Sequence, residues 1–177
     1  MSLPTRIRPG AKAIIVKNES VFIIEEHVDD ELGKRIVFDV PGGGIEEGEL
    51  LTEALVREVQ EEIGITPNII RPIGCWDYMR VHSDRQTHIV CAGYLCSISQ
   101  EQENSIDLTQ NPAAENIVGW RWVPITEIAQ VLDPVDQADL ITSITNAQEQ
   151  QSTRQQDTTC SIMRYCKPTY LSSNRLQ

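Results

Sequence analysis

GGIEEGELLTEALVREVQEEIGI, residues 43–65, decides how the rest of the chain is read. The stretch opens on glycines, crosses Glu49, and becomes an amphipathic helix over Leu51–Ile63, with Gly64 as its stop. Leu55, Val56, Val59 and Ile63 recur at helical spacing and form the apolar stripe expected to face a core. Thr52 is expected to help cap the first turn, while Glu49 and Glu53 complement the positive end of the helix dipole. Glu53 and Gln60 are expected to point to solvent. Glu58, Glu61 and Glu62 stand at i, i+3 and i+4, on one stripe at the edge of the buried face. Like charges so placed repel by roughly a few tenths of a kcal/mol per pair unless a cation sits among them. Hard oxygen ligands suit Mg²⁺ or Mn²⁺, and Mg²⁺ typically joins a few carboxylates to a substrate phosphate. Acidity alone proves nothing, because a solvated helix face carries the same residues at little cost.

On the N-terminal side, residues 11–17 (AKAIIVK) and 21–27 (VFIIEEH) are β-branched runs around Asn18-Glu19-Ser20 and read as a hairpin. A polar loop over 29–34 bends at Gly33, and a third strand over 35–40 ends where Pro41 removes a donor. Gly42, Gly43 and Gly44 then allow positive φ and close backbone approach.

On the C-terminal side, strands are expected over 69–81 and 87–97, joined by the hairpin tip HSDRQ at 82–86. Residues 98–116 read as a long polar loop, and 117–123 (IVGWRWV) as another strand closed by Pro124. Helices are expected over 126–131 and 134–146, the second with Asp133 as its cap and Pro134 at its first position. Residues 1–147 are taken as one domain. Residues 148–177 read as a polar linker and C-terminal tail, mobile or docking back through Met163, Tyr165, Tyr170 and Leu171. Strands on both sides of one helix, with helices late in the chain, give an α+β or α-β-α layered fold.

Composition sets the class. The 177 residues are 40% hydrophobic and 23% charged, as in an ordinary globular domain with a real core. The net charge of −11 repels phosphate backbones, which argues against nucleic acid as the main partner. A phosphorylated substrate then needs metal to offset the local acidity. Five cysteines without a Cys-x-x-Cys pair suggest neither a zinc site nor a disulfide framework, so free thiols in a reducing cytoplasm are expected. No apolar run approaches the roughly 20 residues of a membrane span, and MSLPTRIRPG lacks the apolar core of a signal peptide.

The fixed positions Gly43, Glu49, Arg57-Glu58-Val59, Glu61-Glu62, Gly64 and Ile65 resemble, without a departure, the signature box of the Nudix hydrolases. Weaker resemblance extends to Pro41–Gly44 before the box and to WRWVPITEI at 120–128. The resemblance implies an α-β-α sandwich with a mixed β-sheet. It also implies hydrolysis, with Mg²⁺ or Mn²⁺, of a nucleoside diphosphate linked to another group. Carried over by position, Glu58, Glu61 and Glu62 would be the metal-binding carboxylates and the Gly43 carbonyl a further ligand. Arg57 and Glu49 would pair and hold the loop against the helix. Glu58 or Glu61 would take the proton of the attacking water; some members use a glutamate in a late loop, a place that Glu115 matches loosely.

Substrate contacts are expected from Trp76, Tyr78, Arg80 and Arg85, with Trp120 and Trp122 as further stacking candidates; strand aromatics are more often core, and a solvated hairpin accounts for the arginines equally well. His82 and His88 flank the hairpin tip and read as surface or hydrogen-bonded residues rather than as ligands. The proline that marks ADP-ribose hydrolases would fall at Arg80, with Pro72 nearest. The tyrosine of dinucleoside polyphosphate enzymes is approached by Tyr78, a few residues early. A nucleoside triphosphate or nucleotide derivative is therefore the expected small-molecule partner, with a homodimer as the expected assembly. The competing reading is a Nudix-fold regulator that binds nucleotide without cleaving it. Such modules commonly lose a box carboxylate, and here all are present.

Overall fold

The computed structural model describes residues 4–30, 33–81, 84–109, 111, 116–133 and 137–147. The strands are β1 (Thr5–Lys17), β2 (Ser20–Asp30), β3 (Gly33–Asp39), β4 (Asn68–Val81), β5 (Gln86–Ser97) and β6 (Ile117–Pro124). The helices are α1 (Leu51–Ile63), α2 (Gln100–Asn104), α3 (Ile128–Val131), entered through a 3₁₀ turn at Ile125–Glu127, and α4 over 138–147.

The strands form one mixed sheet in the order β3-β2-β1-β5-β4, with β6 on β2. Only β1 and β5 run parallel; the other pairs are antiparallel. The β1–β2 hairpin closes on Asn18 and Glu19, both at positive φ (48° and 60°). That two-residue geometry matches the natural twist of the flanking strands.

Strand alternation builds two cores. Ile14, Val21, Ile23, Trp76, Cys91 and Val123 face Ile128, Leu132, Leu140 and Ile144 of the late helices. Ala13, Ile15, Phe22, Ile24 and Cys96 face Leu55, Val59 and Ile63 of α1. A bulge between Glu25 and Glu26 shifts the register against β6. It lets odd-numbered Ile117 join the α1 side while Val123 faces the other way. The result is the expected α-β-α sandwich.

Three local expectations change. The N-cap of α1 is Leu50, whose amide donates to the Glu53 carboxylate at 2.9 Å; Thr52 lies inside the helix and does not cap it. Ala54 is fully buried in α1, whereas Val56 is only half-buried. The stretch 98–116 is no plain loop, because it contains α2. Ser99 caps α2 by accepting the Gln102 amide at 3.2 Å, and its own amide donates to the Gln102 side chain at 2.8 Å. Lys17 and the Trp122 indole both donate to Glu103, at 2.5 and 2.9 Å, which pins α2 to the sheet. Five residues are too few for periodicity to show, so only the cap carried a signal.

Cys75, Cys91 and Cys96 are free thiols. No helix among the described residues is long and apolar enough to cross a membrane. His82, Pro134, Glu115 and the 148–177 tail lie outside the described residues.

Candidate active site

The β3–α1 connection is positioned by hydrogen bonds along β1. β1 pairs with β2 only near the hairpin, at Val16–Val21 and Lys17–Ser20, which leaves the rest of that edge open. Residues 41–45 fill it. Ala13 N–H donates to Pro41 O (2.7 Å), Ala11 N–H to Gly43 O (2.9 Å), and Ile45 N–H to Pro9 O (3.1 Å). Gly10 and Gly44 form an antiparallel bridge between them. Two of the glycines are there for stated reasons. Gly42 has φ 121° and its missing side chain would run into the Ala11 backbone. A Cβ on Gly43 would stand 2.5 Å from Glu58 Oε2 and 2.7 Å from Oε1. The absence of a side chain there is what lets the carboxylate lie against the loop.

α1 brings its carboxylates to this loop. Glu62 Oε2 accepts the Gly42 amide at 2.7 Å. Arg57 holds the loop as expected. Its Nε and Nη2 donate to the two oxygens of Glu49 (2.8 and 3.0 Å), and Nη2 also reaches Gly44 O at 2.9 Å. Its Nη1 donates to Glu58 Oε1 (3.0 Å) and to Glu61 Oε2 (3.1 Å). The guanidinium lowers the pKa of the Glu49 carboxyl below its ordinary value, with the Glu46 amide helping. Arg57 itself is held more firmly protonated, chiefly by Glu49, against the effect of burial.

Glu58 is 5% exposed, and its Oε2 is buried with no hydrogen-bond partner among the described residues. A buried carboxylate oxygen left unsatisfied is costly, and a hard cation is the group that fits it. Among the described residues no three carboxylate, imidazole or thiol groups stand as a closed ligand set. Instead Arg57 and the Gly42 amide occupy part of each box carboxylate. A cleft of about 360 Å³ opens beside Glu58, between Gly44-Ile45-Glu46 and the β1 residues Arg6, Ile7, Arg8 and Pro9.

A second polar cluster was not singled out by the sequence. Lys12, within the apolar run of β1, donates to Asp39 (2.8 Å) and to Val40 O (3.2 Å). Burial works to lower its pKa, but Asp39 and Glu62 outweigh it and keep the ammonium charged. Burial raises the pKa of Glu26, with Lys12 and Arg80 opposing and Asp39 adding to it. Tyr78 is raised by burial and then by Asp39. Tyr78 and Arg80 therefore sit within electrostatic reach of this cluster. The only sequence signal was a lysine at an inward position of an apolar strand.

The other expected contacts are dispersed. Trp76 is core, 7% exposed, its ring lying over Gly93, so it does not offer the open face a nucleobase needs. Arg85 is exposed and paired with Asp84 at 3.2 Å. Trp120 stacks on Phe22 with centroids 5.1 Å apart, and Trp122 meets the same ring edge-on at 5.4 Å. His88 pairs with Asp77 at 2.5 Å.

Comparison with known proteins bears on the family and the fold. The chain is 46% identical over 55 residues to the 8-oxo-dGTP diphosphatase of Escherichia coli, covering 30% of this chain and 41% of that protein. It is 30% identical over 104 residues to the RNA pyrophosphohydrolase of Alkalilimnicola ehrlichii, covering 50% and 56%. The chain thus spans only about two fifths to just over half of the length of such curated relatives. Among solved structures, the MutT protein of Methanosarcina mazei superposes with a TM-score of 0.61 at 18% identity, covering 83% of this chain and 99% of that one. The family model described as the NUDIX domain matches residues 6–144, and the chain belongs to the Nudix family.

Proposed function

We propose that the chain is a pyrophosphohydrolase that cleaves the P–O–P linkage of a nucleoside diphosphate joined to another group, with Mg²⁺ or Mn²⁺ as its cation. The observation that carries this reading is the unpartnered Oε2 of the buried Glu58 beside an open cleft. Glu58, Glu61 and Glu62 would hold the cation, with the Gly43 carbonyl, whose second lone pair is left by the Ala11 amide. Bound there, a divalent cation supplies charge neutralisation on the phosphate oxygens and acidifies the attacking water. Water then forms a new P–O bond as the bridging P–O bond breaks. Its proton passes to Glu58 or Glu61, and the leaving phosphate keeps the bridging oxygen. Arg57 is a positioning residue: it fixes Glu58, Glu61 and the Gly44 carbonyl at once.

The relatives named as a diphosphatase and a pyrophosphohydrolase support the reaction class. Net charge of −11 favours a small nucleotide over a long nucleic acid as substrate. The free thiols of Cys75, Cys91 and Cys96 support a reducing compartment, the cytoplasm. The test is a panel of nucleoside triphosphates, nucleoside diphosphate sugars and dinucleoside polyphosphates, with each cation and with products identified. Hydrolysis is expected for at least one class and lost in Glu61→Gln and Glu62→Gln. Unchanged turnover in both variants overturns the assignment.

A further inference from the structure

The cleft beside Glu58 is also lined by two arginines, Arg6 and Arg8. The chain carries 26 acidic residues against 15 lysines and arginines, so an unpaired guanidinium is unexpected. Yet Arg6 and Arg8, both exposed on β1, make no ion pair or hydrogen bond among the described residues. Glu46 and Glu58 line the same cleft, and neither is within ion-pair reach of them. The guanidinium of Arg8 lies across Gly44: a Cβ there would stand 2.7 Å from its Nε and 2.8 Å from Nη2. Register extends the positive surface. Arg6 pairs with Thr87 on β5, and Arg80 of β4 pairs with the same residue from the other side. Alternation along β1 puts Arg6 and Arg8 on the sheet face that Lys12 also occupies. Lys12 on that face is paired with Asp39 and Arg80 lies within electrostatic reach of Glu26, which leaves Arg6 and Arg8 as the guanidiniums there without a carboxylate partner among the described residues.

We propose that Arg6 and Arg8 form an arm that binds a substrate phosphate lying outside the anhydride that is cleaved. The preferred substrate then carries three or more phosphates, as in a nucleoside triphosphate or dinucleoside polyphosphate, rather than a nucleoside diphosphate joined to an uncharged group. This rests on the pyrophosphohydrolase reading above. Glu58 has an unpartnered oxygen for a cation, and the planar forks of Arg6 and Arg8, which line the same cleft, suit the oxygens of a phosphate.

The experiment compares binding of methylene-bridged analogues of a nucleoside triphosphate and a nucleoside diphosphate hexose to the full chain with Mg²⁺, by calorimetry. Arg6→Ala/Arg8→Ala removes two charge-assisted hydrogen-bonding groups. It should weaken the triphosphate by about tenfold or more and the hexose analogue by less than about twofold. Arg6→Lys/Arg8→Lys should recover part of the affinity. In turnover, the double alanine variant should raise KM for the triphosphate with little change in kcat. Both arginines are exposed, so thermal melting should match the wild type. Equal losses on both ligands, or none on either, overturn the arm. Absence of hydrolysis by the wild type across all anhydrides overturns the enzyme reading instead, and the binding comparison still reads the arm separately.

Discussion

Gly43 and Glu58 are so close that one methyl group has no room between them: a Cβ on Gly43 would sit 2.6 Å from the carboxyl carbon of Glu58. The glycine is not needed for its own φ, which is not positive. It is needed because a buried carboxylate lies where a side chain would be. Gly43→Ala should therefore move the carboxylate rather than unfold the loop. A displacement of about 1 Å at a reacting centre costs on the order of 100-fold in rate. Turnover of the anhydride found for the wild type should fall by that much, with a melting temperature close to that of the wild type.

Glu58→Gln isolates the charge. The amide keeps the size and removes the charge, so relief of the buried carboxylate is offset by the weakened pair with Arg57. Without metal the variant should melt close to the wild-type temperature. With Mg²⁺ the wild type should gain more stability than the variant, because only binding to the folded form shifts the midpoint. Equal metal-induced shifts in the two proteins would remove Glu58 from the cation site.

The Glu49–Arg57 pair sets a pH window. Arg57 depresses the Glu49 pKa in the folded protein, so the unfolded chain binds that proton more readily. The pair's contribution is complete above the ordinary carboxylate range and is lost as pH falls through the lower folded value. Melting curves of wild type and Glu49→Gln should differ most near neutrality and converge under acid. A gap that widens as the pH is lowered contradicts the pairing.

The thiols should sort by burial. Burial pushes Cys91 up to about 11 and Cys96 up to about 12, so neither forms thiolate near pH 8. Cys75 is exposed. Iodoacetamide at that pH should label Cys75 in the native protein and leave Cys91 and Cys96 unmodified until it is denatured, as peptide mapping would show.

Much of this was legible because it depends on local spacing. The bounds of α1 and its stop at Gly64 follow from residues within one loop and helix, while the Glu49–Arg57 pair came only with the family resemblance. The five-residue α2 escaped because it shows too little of its period. Trp76 reads locally as a base-stacking ring, but its ring packs on Gly93, distant in sequence, and lies in the core. Lys12 and Asp39 are 27 residues apart, and no local pattern pairs them.

By itself the sequence determined which side chains line one stripe of α1, because helix geometry converts spacing into direction without further help. Only the tertiary structure decided what that stripe meets. The divergence of β1 from β2 opens an edge, residues 41–45 fill it, and Glu58 is then buried against Gly43 with one oxygen unpaired. The same packing lays Arg8 over Gly44, beside the cleft. Burial and unpaired charge are properties of neighbours brought together from far along the chain, and a spacing rule cannot carry them.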